Sequence, residues 1–193
     1  MGEVTGLFFG SFNPIHKGHL GLARFLLEGG YCRELWFVVS PCNPFKRDQA
    51  LLPEQQRFEL VQRVVERESR MRVCDVEFTM PRPSYTADTL RVLQARSPER
   101  FFALIIGEDN LRVFHRWRES EWIRAHFPLL VYPRSGETFH ATVRPGVTFV
   151  EAPLFPYSST EIRRKIGQGE DVSDAVPSEI LSSVLQLYGT SFV

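Results

Sequence analysis

The sequence has few cysteines, and they are not arranged to bind a metal or to build a disulfide framework. The chain of 193 residues has three, Cys32, Cys42 and Cys74, and no Cys-x-x-Cys pair. An odd number of cysteines at such spacings makes a poor disulfide framework. We therefore expect reduced thiols, no metal site formed by the protein, and a cytoplasmic location.

Long apolar runs and an excess of charge of either sign are also missing. No apolar stretch reaches membrane-spanning length, and no basic segment followed by a long apolar stretch opens the chain, so we expect no membrane partner and no leader. Lysine plus arginine and aspartate plus glutamate number 23 each, which gives a formal net charge of zero. No basic tail or stripe is present, which argues against a nucleic-acid partner, although scattered arginines suit bidentate phosphate contacts.

What is present is an ordinary globular composition, 43% hydrophobic and 24% charged, with alternating strand and helix patterns. Apolar runs predict strands at residues 4–9, 34–40, 72–78, 101–106, 127–132 and 147–150. Amphipathic patterns predict helices at residues 20–27, 53–65, 86–96, 160–166 and 178–187. This alternation predicts an α/β fold with a doubly wound, mostly parallel sheet. We expect one domain over residues 1–193, with C-terminal helices at about 158–193 packed on it.

The most informative motif, GSFNPIHKGH at residues 10–19, lies between the first predicted strand and the first predicted helix. At a helix start the backbone N–H groups and the dipole favour anions, and His16 and His19 are one turn apart on the same side of that end. Gly18 has no side chain, so a phosphate could approach the backbone closely there. The motif predicts a phosphate site. A solvated helix start is the alternative, and it suits a lone histidine better than the whole motif.

Polar residues also follow two other predicted strands, where doubly wound sheets bind ligands. Asn43 and Lys46 follow the second strand, and Gly107 and Asp109 follow the strand at 101–106. Glycine permits close approach of a ligand, and a carboxylate can accept hydrogen bonds from a ribose or a base. Taken alone, Lys46 also fits a solvated loop charge and Asp109 a carboxylate at a helix start.

A second helix start, in the motif YSSTEIR near the C-terminus, combines a structural and a functional signal. Ser158, followed three residues later by Glu161, is a capping box. The same start presents backbone N–H groups, further hydroxyls and an arginine in the next turn, which together suit a polyphosphate. We expect phosphate contacts from Ser159, Thr160 and Arg163.

These motifs resemble a known family. The HKGH sequence at residues 16–19 resembles the (T/H)-x-G-H signature of the nucleotidyltransferase superfamily, and YSSTEIR resembles its I-S-S-T-x-I-R element, with tyrosine in place of isoleucine. PSYTADTL at residues 83–90 and IIGEDNL at residues 105–111, followed by Trp117, resemble the bacterial nicotinate-mononucleotide adenylyltransferases in particular. The resemblance spans most of the chain. It implies a Rossmann-like nucleotidyltransferase fold and adenylyl transfer from ATP to nicotinate mononucleotide, which gives nicotinate adenine dinucleotide and pyrophosphate.

The resemblance also implies roles for individual residues. We assign His16 and His19 to the ATP phosphates, Lys46 and Arg163 to the developing charge, and Mg²⁺ to the leaving pyrophosphate. The mononucleotide site is assigned to Asn43, Tyr85, Thr86 and Trp117, of which the last three inherit the pyridine pocket by position. The other expected ATP-binding residues are Gly10, Ser11, Phe12, Gly18, Gly107, Asp109, Ser159 and Thr160.

Two positions depart from the family pattern. The common turn is G-T/S-F-D-P, whereas this chain has Asn13, which keeps a hydrogen-bonding side chain but loses a charge. This departure argues against a direct metal contact from that position. The loop after the second strand is commonly P-P-H-K, and here it is Asn43-Pro44-Phe45-Lys46, without the histidine.

Three other functions and a question of assembly stay open. An adenylyltransferase for nicotinamide mononucleotide is the nearest alternative, because no arginine can be placed from the sequence against the pyridine carboxylate. Pantetheine-phosphate adenylyltransferase shares the histidine motif, but the Tyr85-Thr86 and Gly107-Glu108-Asp109 segments argue against it. A non-catalytic nucleotide sensor could keep the same fold. A homo-oligomer is also open, because certain aromatic residues fit either a subunit contact or the core: Phe114, Trp117 and Trp122.

Overall fold

The computed structural model of the protein describes residues 3–41, 51–134 and 145–191 and is organised around one six-stranded sheet. The strands are β1 (Val4–Gly10), β2 (Glu34–Val39), β3 (Met71–Cys74), β4 (Phe101–Gly107), β5 (Leu129–Tyr132) and β6 (Val147–Phe149). Their order is β3-β2-β1-β4-β5-β6, and every neighbouring pair is parallel. The prediction of a doubly wound parallel sheet is confirmed.

Helices cover both faces of this sheet. They are α1 (Lys17–Glu28), α2 (Glu54–Val65), α3 (Thr86–Arg96), α4 (Glu108–Arg112), α5 (Ser120–His126), α6 (Ser159–Gly167) and α7 (Leu181–Ser191). Short 3₁₀ helices lie at Val76–Thr79, Phe114–Arg116 and Ser178–Ile180. In this strand order the chain changes direction between β1 and β4, and such sheets bind ligands beyond the carboxyl ends of the strands at that point.

Two hydrophobic cores, one on each face, explain why the strands are nearly continuous apolar runs. Along β1, Phe8 belongs to the core formed with α1, α2, α6 and α7, whereas Leu7 belongs to the core formed with α3 and α5. A strand buried on both faces needs apolar side chains at successive positions. Phe114 is buried in the second core, and the partly buried Trp117 and Trp122 pack against that core.

The C-terminal helices share the first core. Ile162 and Ile166 of α6 and Val184 and Tyr188 of α7 are buried with residues of α1 and α2. The assignment of a single domain to residues 1–193 stays a prediction, since it includes residues outside the described ranges.

The predicted strand at 72–78 is wrong in its second half. Strand β3 ends at Cys74, and a 3₁₀ helix occupies Val76–Thr79. The reason lies in Glu77, which is buried and whose carboxylate accepts hydrogen bonds from the Ser84 and Thr89 hydroxyls. Because a buried carboxylate needs such donors, the chain leaves the sheet to reach them. Helices α4 and α5 correspond to no predicted element, and α2 begins one residue after Pro53, which is its N-cap.

Two sequence expectations about covalent and membrane chemistry can be compared with the described residues. Cys32 and Cys74 are free thiols, and Cys42 lies outside the described residues. No helix in the described ranges is long and apolar enough to cross a membrane.

Candidate active site

Two neighbouring cavities open where the strand order reverses. The first, here called the histidine cavity, has a volume of about 380 Å³ and is lined by His16, Gly18 and His19 among others. The second, here called the Trp117 cavity, has a volume of about 340 Å³ and lies beside Gly10 and Gly107 at the ends of β1 and β4. Phe8 and Tyr132 line both cavities, so they form a common wall.

Two stacked imidazoles form one side of the histidine cavity. His16 is the N-cap of α1, and the ring of His19 lies 3.7 Å from the ring of His16, centroid to centroid. The His16 backbone N–H donates to Nδ1 of His19 at 3.3 Å. Since Nδ1 accepts this bond, the proton of a neutral His19 ring is on Nε2. The predicted pairing of the two histidines at a helix start is therefore confirmed.

The surroundings of His16 disfavour its protonated form. Burial, with a contribution from the Arg134 cation, lowers the pKa of His16 to about 4. Its Nδ1 is buried and has no hydrogen-bond partner in the part of the chain that the structure describes. A pKa of about 4 favours the neutral form of this ring at neutral pH in the ligand-free protein.

Two glycines of α1, Gly18 and Gly21, leave room for the segment that precedes α6 to pack directly on this helix. A Cβ atom added at Gly18 would be 3.0 Å from His16 Nδ1 and 3.3 Å from Phe155 Cβ, and one added at Gly21 would be 2.3 Å from Phe155 Cε1. The close neighbours of Gly18 in the structure are thus protein atoms. Its contact with a phosphate stays a prediction.

Residues from the two ends of the sequence meet at the turn after β1. Arg163 Nη1 donates to the Asn13 carbonyl at 2.7 Å, and Ser159 Oγ donates to the Pro14 carbonyl at 2.9 Å. These bonds place the amino end of α6 against the loop that precedes the histidines. The two motifs therefore meet at this turn.

The side chains at the start of α6 are engaged differently from the predicted set. Ser158 Oγ accepts the Glu161 N–H at 3.1 Å, as a cap should, but the Glu161 carboxylate pairs with Arg164 and does not close the capping box. The Ser159 hydroxyl proton is used on Pro14, and Thr160 is exposed. Burial lowers the pKa of Arg163, which lines neither cavity. Phosphate contacts from these residues stay predictions.

The Phe12 phenyl ring, just after β1, belongs to the core and lines neither cavity. The Phe12 side chain is buried against the Phe8 and Phe37 rings, and the His19 ring lies 5.1 Å away. A Cβ atom at Gly10 would be 2.8 Å from this ring, so glycine makes room for it. An ATP contact from Phe12 can therefore involve its peptide group but not its phenyl ring.

The Trp117 cavity is formed by aromatic rings and by the amino end of α3. Tyr85 is the N-cap of α3 and Thr86 its first residue, and both line the cavity with Trp117. The Arg118 guanidinium lies 4.9 Å from the centre of the Tyr85 ring. Because the first N–H groups of a helix have no partner within it, they are available to an anionic substituent of a ligand. The structure brings Tyr85, Thr86 and Trp117 together as predicted.

A close approach of protein atoms also requires the glycine that ends β4. A Cβ atom at Gly107 would be 2.3 Å from Asp109 Oδ1 and 2.9 Å from Arg134 Cγ. Asp109 is exposed and pairs with Arg134, with 3.6 Å between Oδ2 and Nε. Arg134 lines the histidine cavity, so this ion pair lies at the border between the two cavities.

Several functional residues were missed by the sequence reasoning, and two of them had a usable signal. Arg134 lies two residues after the end of β5, and polar residues just after a strand were the signal used for the second and fourth predicted strands. Glu77 also lines the Trp117 cavity, but it lay inside the predicted strand at 72–78, so the same signal did not apply to it. Arg57 lies three and four residues before Leu60 and Val61, on the buried stripe of α2. Arg116 and Arg118, beside Trp117, had no comparable signal.

Two predicted site residues, Asn43 and Lys46, lie outside the described residues. Asn13 is buried, and its Oδ1 accepts hydrogen bonds from the Tyr188 hydroxyl at 2.8 Å and the Leu52 N–H at 3.3 Å. Over residues 3–41, 51–134 and 145–191, no group of three histidine, cysteine or acidic side chains is arranged to hold a metal ion.

Comparisons with known proteins agree with this architecture. The model of the cytidylyltransferase-like family matches residues 7–165. The chain is 46% identical to a protein of Bacteroides fragilis named "Probable nicotinate-nucleotide adenylyltransferase", covering 94% of this chain and 91% of that protein. A protein of the same name from Porphyromonas gingivalis is 42% identical, with 95% and 96% covered.

The fold is also similar to that of a solved structure. Nicotinic acid mononucleotide adenylyltransferase of Plasmodium falciparum, complexed with NaAD, superimposes with a TM-score of 0.76 at 18% identity, covering 96% of this chain and 97% of that one. At this identity the likeness concerns the fold. Together with the family match over residues 7–165, these findings show that the chain belongs to the cytidylyltransferase-like family of nucleotidyltransferases and, within it, to the nicotinate-nucleotide adenylyltransferases.

Proposed function

We propose that the protein transfers the adenylyl group of ATP to nicotinate mononucleotide, giving nicotinate adenine dinucleotide and pyrophosphate in NAD biosynthesis. One observation carries this proposal. Two cavities share the wall of Phe8 and Tyr132, and one has a helix start with two imidazoles while the other has aromatic rings beside a helix start. ATP is placed in the histidine cavity and the mononucleotide in the Trp117 cavity, so that their phosphates meet at the border.

The chemistry needs alignment and charge stabilisation more than a protein nucleophile. A mononucleotide phosphate oxygen, already anionic, forms a bond to the α-phosphorus of ATP, and the bond from that phosphorus to the pyrophosphate oxygen breaks. Catalysis then depends on holding two polyanions in line and on groups placed where charge develops. His19 Nε2–H is proposed to donate to the ATP phosphates, and neutral His16 to bind them and gain a proton as the polyphosphate approaches. Arg163 and Lys46 are proposed to stabilise the developing charge.

Mg²⁺ is proposed to arrive with ATP, on its phosphate oxygens. The described residues offer no three-ligand cluster, and the Asn13 side-chain oxygen is engaged with Tyr188 and Leu52. A cation carried by the phosphates would neutralise charge on the leaving pyrophosphate. The protein side chains would then act on the nucleotide itself.

Two features of the Trp117 cavity favour the acid over the amide of the mononucleotide. The N–H groups at the amino end of α3 are donors, and the Arg116 and Arg118 guanidiniums line the same cavity. Donors and cations favour a carboxylate over a neutral carboxamide. The free thiols of Cys32 and Cys74 support the further proposal of a cytoplasmic location.

Release of pyrophosphate tests the proposal directly. The protein is mixed with ATP and Mg²⁺ and with nicotinate mononucleotide, nicotinamide mononucleotide or no acceptor. We expect pyrophosphate with the nicotinate compound, a kcat/KM at least about tenfold lower with the nicotinamide compound, and none without acceptor. Tight ATP binding without pyrophosphate release from either mononucleotide would indicate a nucleotide sensor and overturn the proposal, and a preference for the amide would reassign the substrate.

A further inference from the structure

Arg57 of α2 is fully buried beneath the candidate active site. Its side chain has 0% relative exposure, and its donors reach backbone carbonyls in three separate parts of the chain. Nε donates to Leu52 at 2.8 Å, Nη2 to Pro41 at 3.0 Å, and Nη1 to both Ser40, at 2.9 Å, and Ser11. A planar guanidinium can make such a set of bonds because its N–H groups point in several fixed directions.

The guanidinium lies where strands β1 and β2 separate. Their last backbone hydrogen bond joins the Ser40 N–H to the Gly10 carbonyl at 2.9 Å. Beyond it the two chains diverge, and Arg57 Nη1 bridges the carbonyls of Ser11 and Ser40. Gly10 and Ser40 line the Trp117 cavity, whereas Arg57 does not. Arg57 therefore acts on the edge of this cavity through the backbone.

The direction of a carbonyl also sets the direction of the next N–H group. In a trans peptide the C=O and the following N–H point in opposite directions. Because the Ser11 carbonyl is turned toward Arg57, the N–H of Phe12 is turned away from it, out of the region that the guanidinium occupies. Arg57 thereby fixes the orientation of a peptide group in the turn that is predicted to bind phosphate.

The same bonds connect this turn with the C-terminal helices. The Leu52 N–H donates to Asn13 Oδ1, and the Leu52 carbonyl accepts the hydrogen bond from Arg57 Nε. Asn13 Oδ1 also accepts from the Tyr188 hydroxyl of α7. A shift of Arg57 would consequently displace Leu52 and, through it, Asn13. The Asn13 carbonyl accepts the hydrogen bond from Arg163 of α6.

A charged side chain in this position is unfavourable unless its geometry is useful. Burial of a guanidinium carries a large desolvation cost, and an apolar side chain of similar volume often serves stability as well or better. Carbonyl dipoles offset that cost here, through the four hydrogen bonds to the carbonyls of Leu52, Pro41, Ser40 and Ser11. A buried guanidinium that bonds several backbone carbonyls at once is expected where the orientation of those peptide groups matters.

We infer that Arg57 is a positioning residue for adenylyl transfer, which orients the peptide groups after β1 and β2 that receive the substrate phosphates. The inference rests on the proposed function, since it concerns the same site. It makes Arg57 neither a ligand of substrate nor a group that exchanges protons with it.

The test uses Arg57→Lys and Arg57→Ala, with Arg63→Ala as the matched control. Arg63 is an exposed arginine of the same helix, whose Nη1 donates to Ser183 Oγ at 2.9 Å, away from both cavities. Folded fraction is measured by circular dichroism, ATP binding by calorimetry without a second substrate, and kcat and both KM values by pyrophosphate release. Guanidinium chloride at low millimolar concentration is added to Arg57→Ala and compared with the same concentration of sodium chloride.

We expect folded Arg57→Lys to lose at least about tenfold in kcat, because lysine keeps the charge but not the fork, and small misplacements of a reacting group are costly. Arg63→Ala should stay within about twofold of the parent protein, as surface changes usually do. Guanidinium, but not sodium, should raise the kcat of Arg57→Ala several-fold and leave the parent protein unchanged.

Three results would overturn the inference. They are an Arg57→Lys variant with kinetic constants like those of the parent protein, a loss of activity that only follows the loss of folded protein, and failure of both variants to fold. The last would assign Arg57 to folding alone. An inactive parent protein would instead count against the proposed function, and the ratio of ATP affinities between parent and Arg57→Lys would still test the role of Arg57.

Discussion

The histidine cavity and the Trp117 cavity share two residues of wall, but they are assembled from different kinds of contact. Around the histidine cavity, segments far apart in the sequence are joined by bonds to backbone carbonyls, as Arg163 is to Asn13 and Ser159 to Pro14. The Trp117 cavity is formed mainly from residues 77–118, and side chains define it through ring packing, as in Phe114 against Trp117 and Arg118 over Tyr85.

This difference fits the parts of the substrates that the two cavities are proposed to bind. Phosphates are alike in all nucleotides, and backbone N–H groups at helix starts recognise them whatever the side chains nearby. A pyridine ring has to be distinguished from other rings, which requires shaped apolar side chains with a few polar groups. Substitutions in the histidine cavity should therefore reduce turnover with every acceptor. Substitutions in the Trp117 cavity should change the KM for the mononucleotide alone.

The largest effect is expected at His19. Asparagine can keep an acceptor near the position of Nδ1 for the His16 N–H, whereas glutamine can place a donor near the position of Nε2. We expect His19→Asn to lose about a hundredfold or more in kcat with little change in melting temperature, since a preorganised donor is removed. His19→Gln should keep more activity and less stability.

Steady-state kinetics and thermal unfolding of both variants check this prediction. If His19→Asn turned over ATP like the parent protein, the phosphate role of Nε2 would be refuted, and with it the contrast between the cavities.

A smaller effect, limited to one substrate, is expected at Trp117. Stacking of a heterocyclic ring on an aromatic side chain contributes on the order of 1 to 3 kcal/mol. Trp117→Ala should therefore raise the KM for nicotinate mononucleotide by about tenfold or more while the KM for ATP changes little, and Trp117→Phe should recover most of the loss. Equal changes in both KM values would show that the two cavities do not act separately.

The smallest effect concerns His16 and is a dependence of stability on pH. The pKa of the ring is about 4 in the folded protein and about 6.5 in an unfolded chain. Between these values the unfolded chain binds a proton that the folded protein does not, so the free energy of unfolding falls as the pH is lowered from 6.5 toward 4. Above pH 6.5 this contribution is fully present and constant.

Melting temperatures of the parent protein and His16→Asn, measured from pH 7.5 to 4, isolate this contribution. The parent protein should lose more stability than the variant over that range. Parallel curves would mean that the pKa of His16 is the same in the folded protein and the unfolded chain, so that burial does not lower it.

Much of the fold and part of the site could be predicted from the sequence because their signals are local. Helix α3 was predicted with its observed bounds, since its apolar spacing and the residues at its start agree. The strands buried on both faces were equally clear as apolar runs. The histidine motif is continuous in the sequence, so the meeting of His16 and His19 needed only the geometry of one helical turn.

The remainder depended on burial, which a single sequence does not reveal. The neutral state of His16 follows from the atoms packed around it and from Arg134, a residue more than a hundred positions away. The engagement of Ser159 with Pro14 follows from the docking of α6 on the turn after β1. Strand β3 was predicted too long because the donors to Glu77 come from residues that follow it, and the apolar pattern does not include them.

Gly21 has no side chain to contribute to the site, yet its lack of a Cβ atom determines how closely another segment packs on α1. Because nothing projects from it, the Phe155 ring rests directly on α1, only 2.3 Å from where a methyl carbon would be. Phe155, four residues before the start of α6, is thereby held against α1. A methyl group at this position would push Phe155 away from α1 and move the start of α6 with it. The Arg163 guanidinium of α6 would then lose its hydrogen bond to the Asn13 carbonyl.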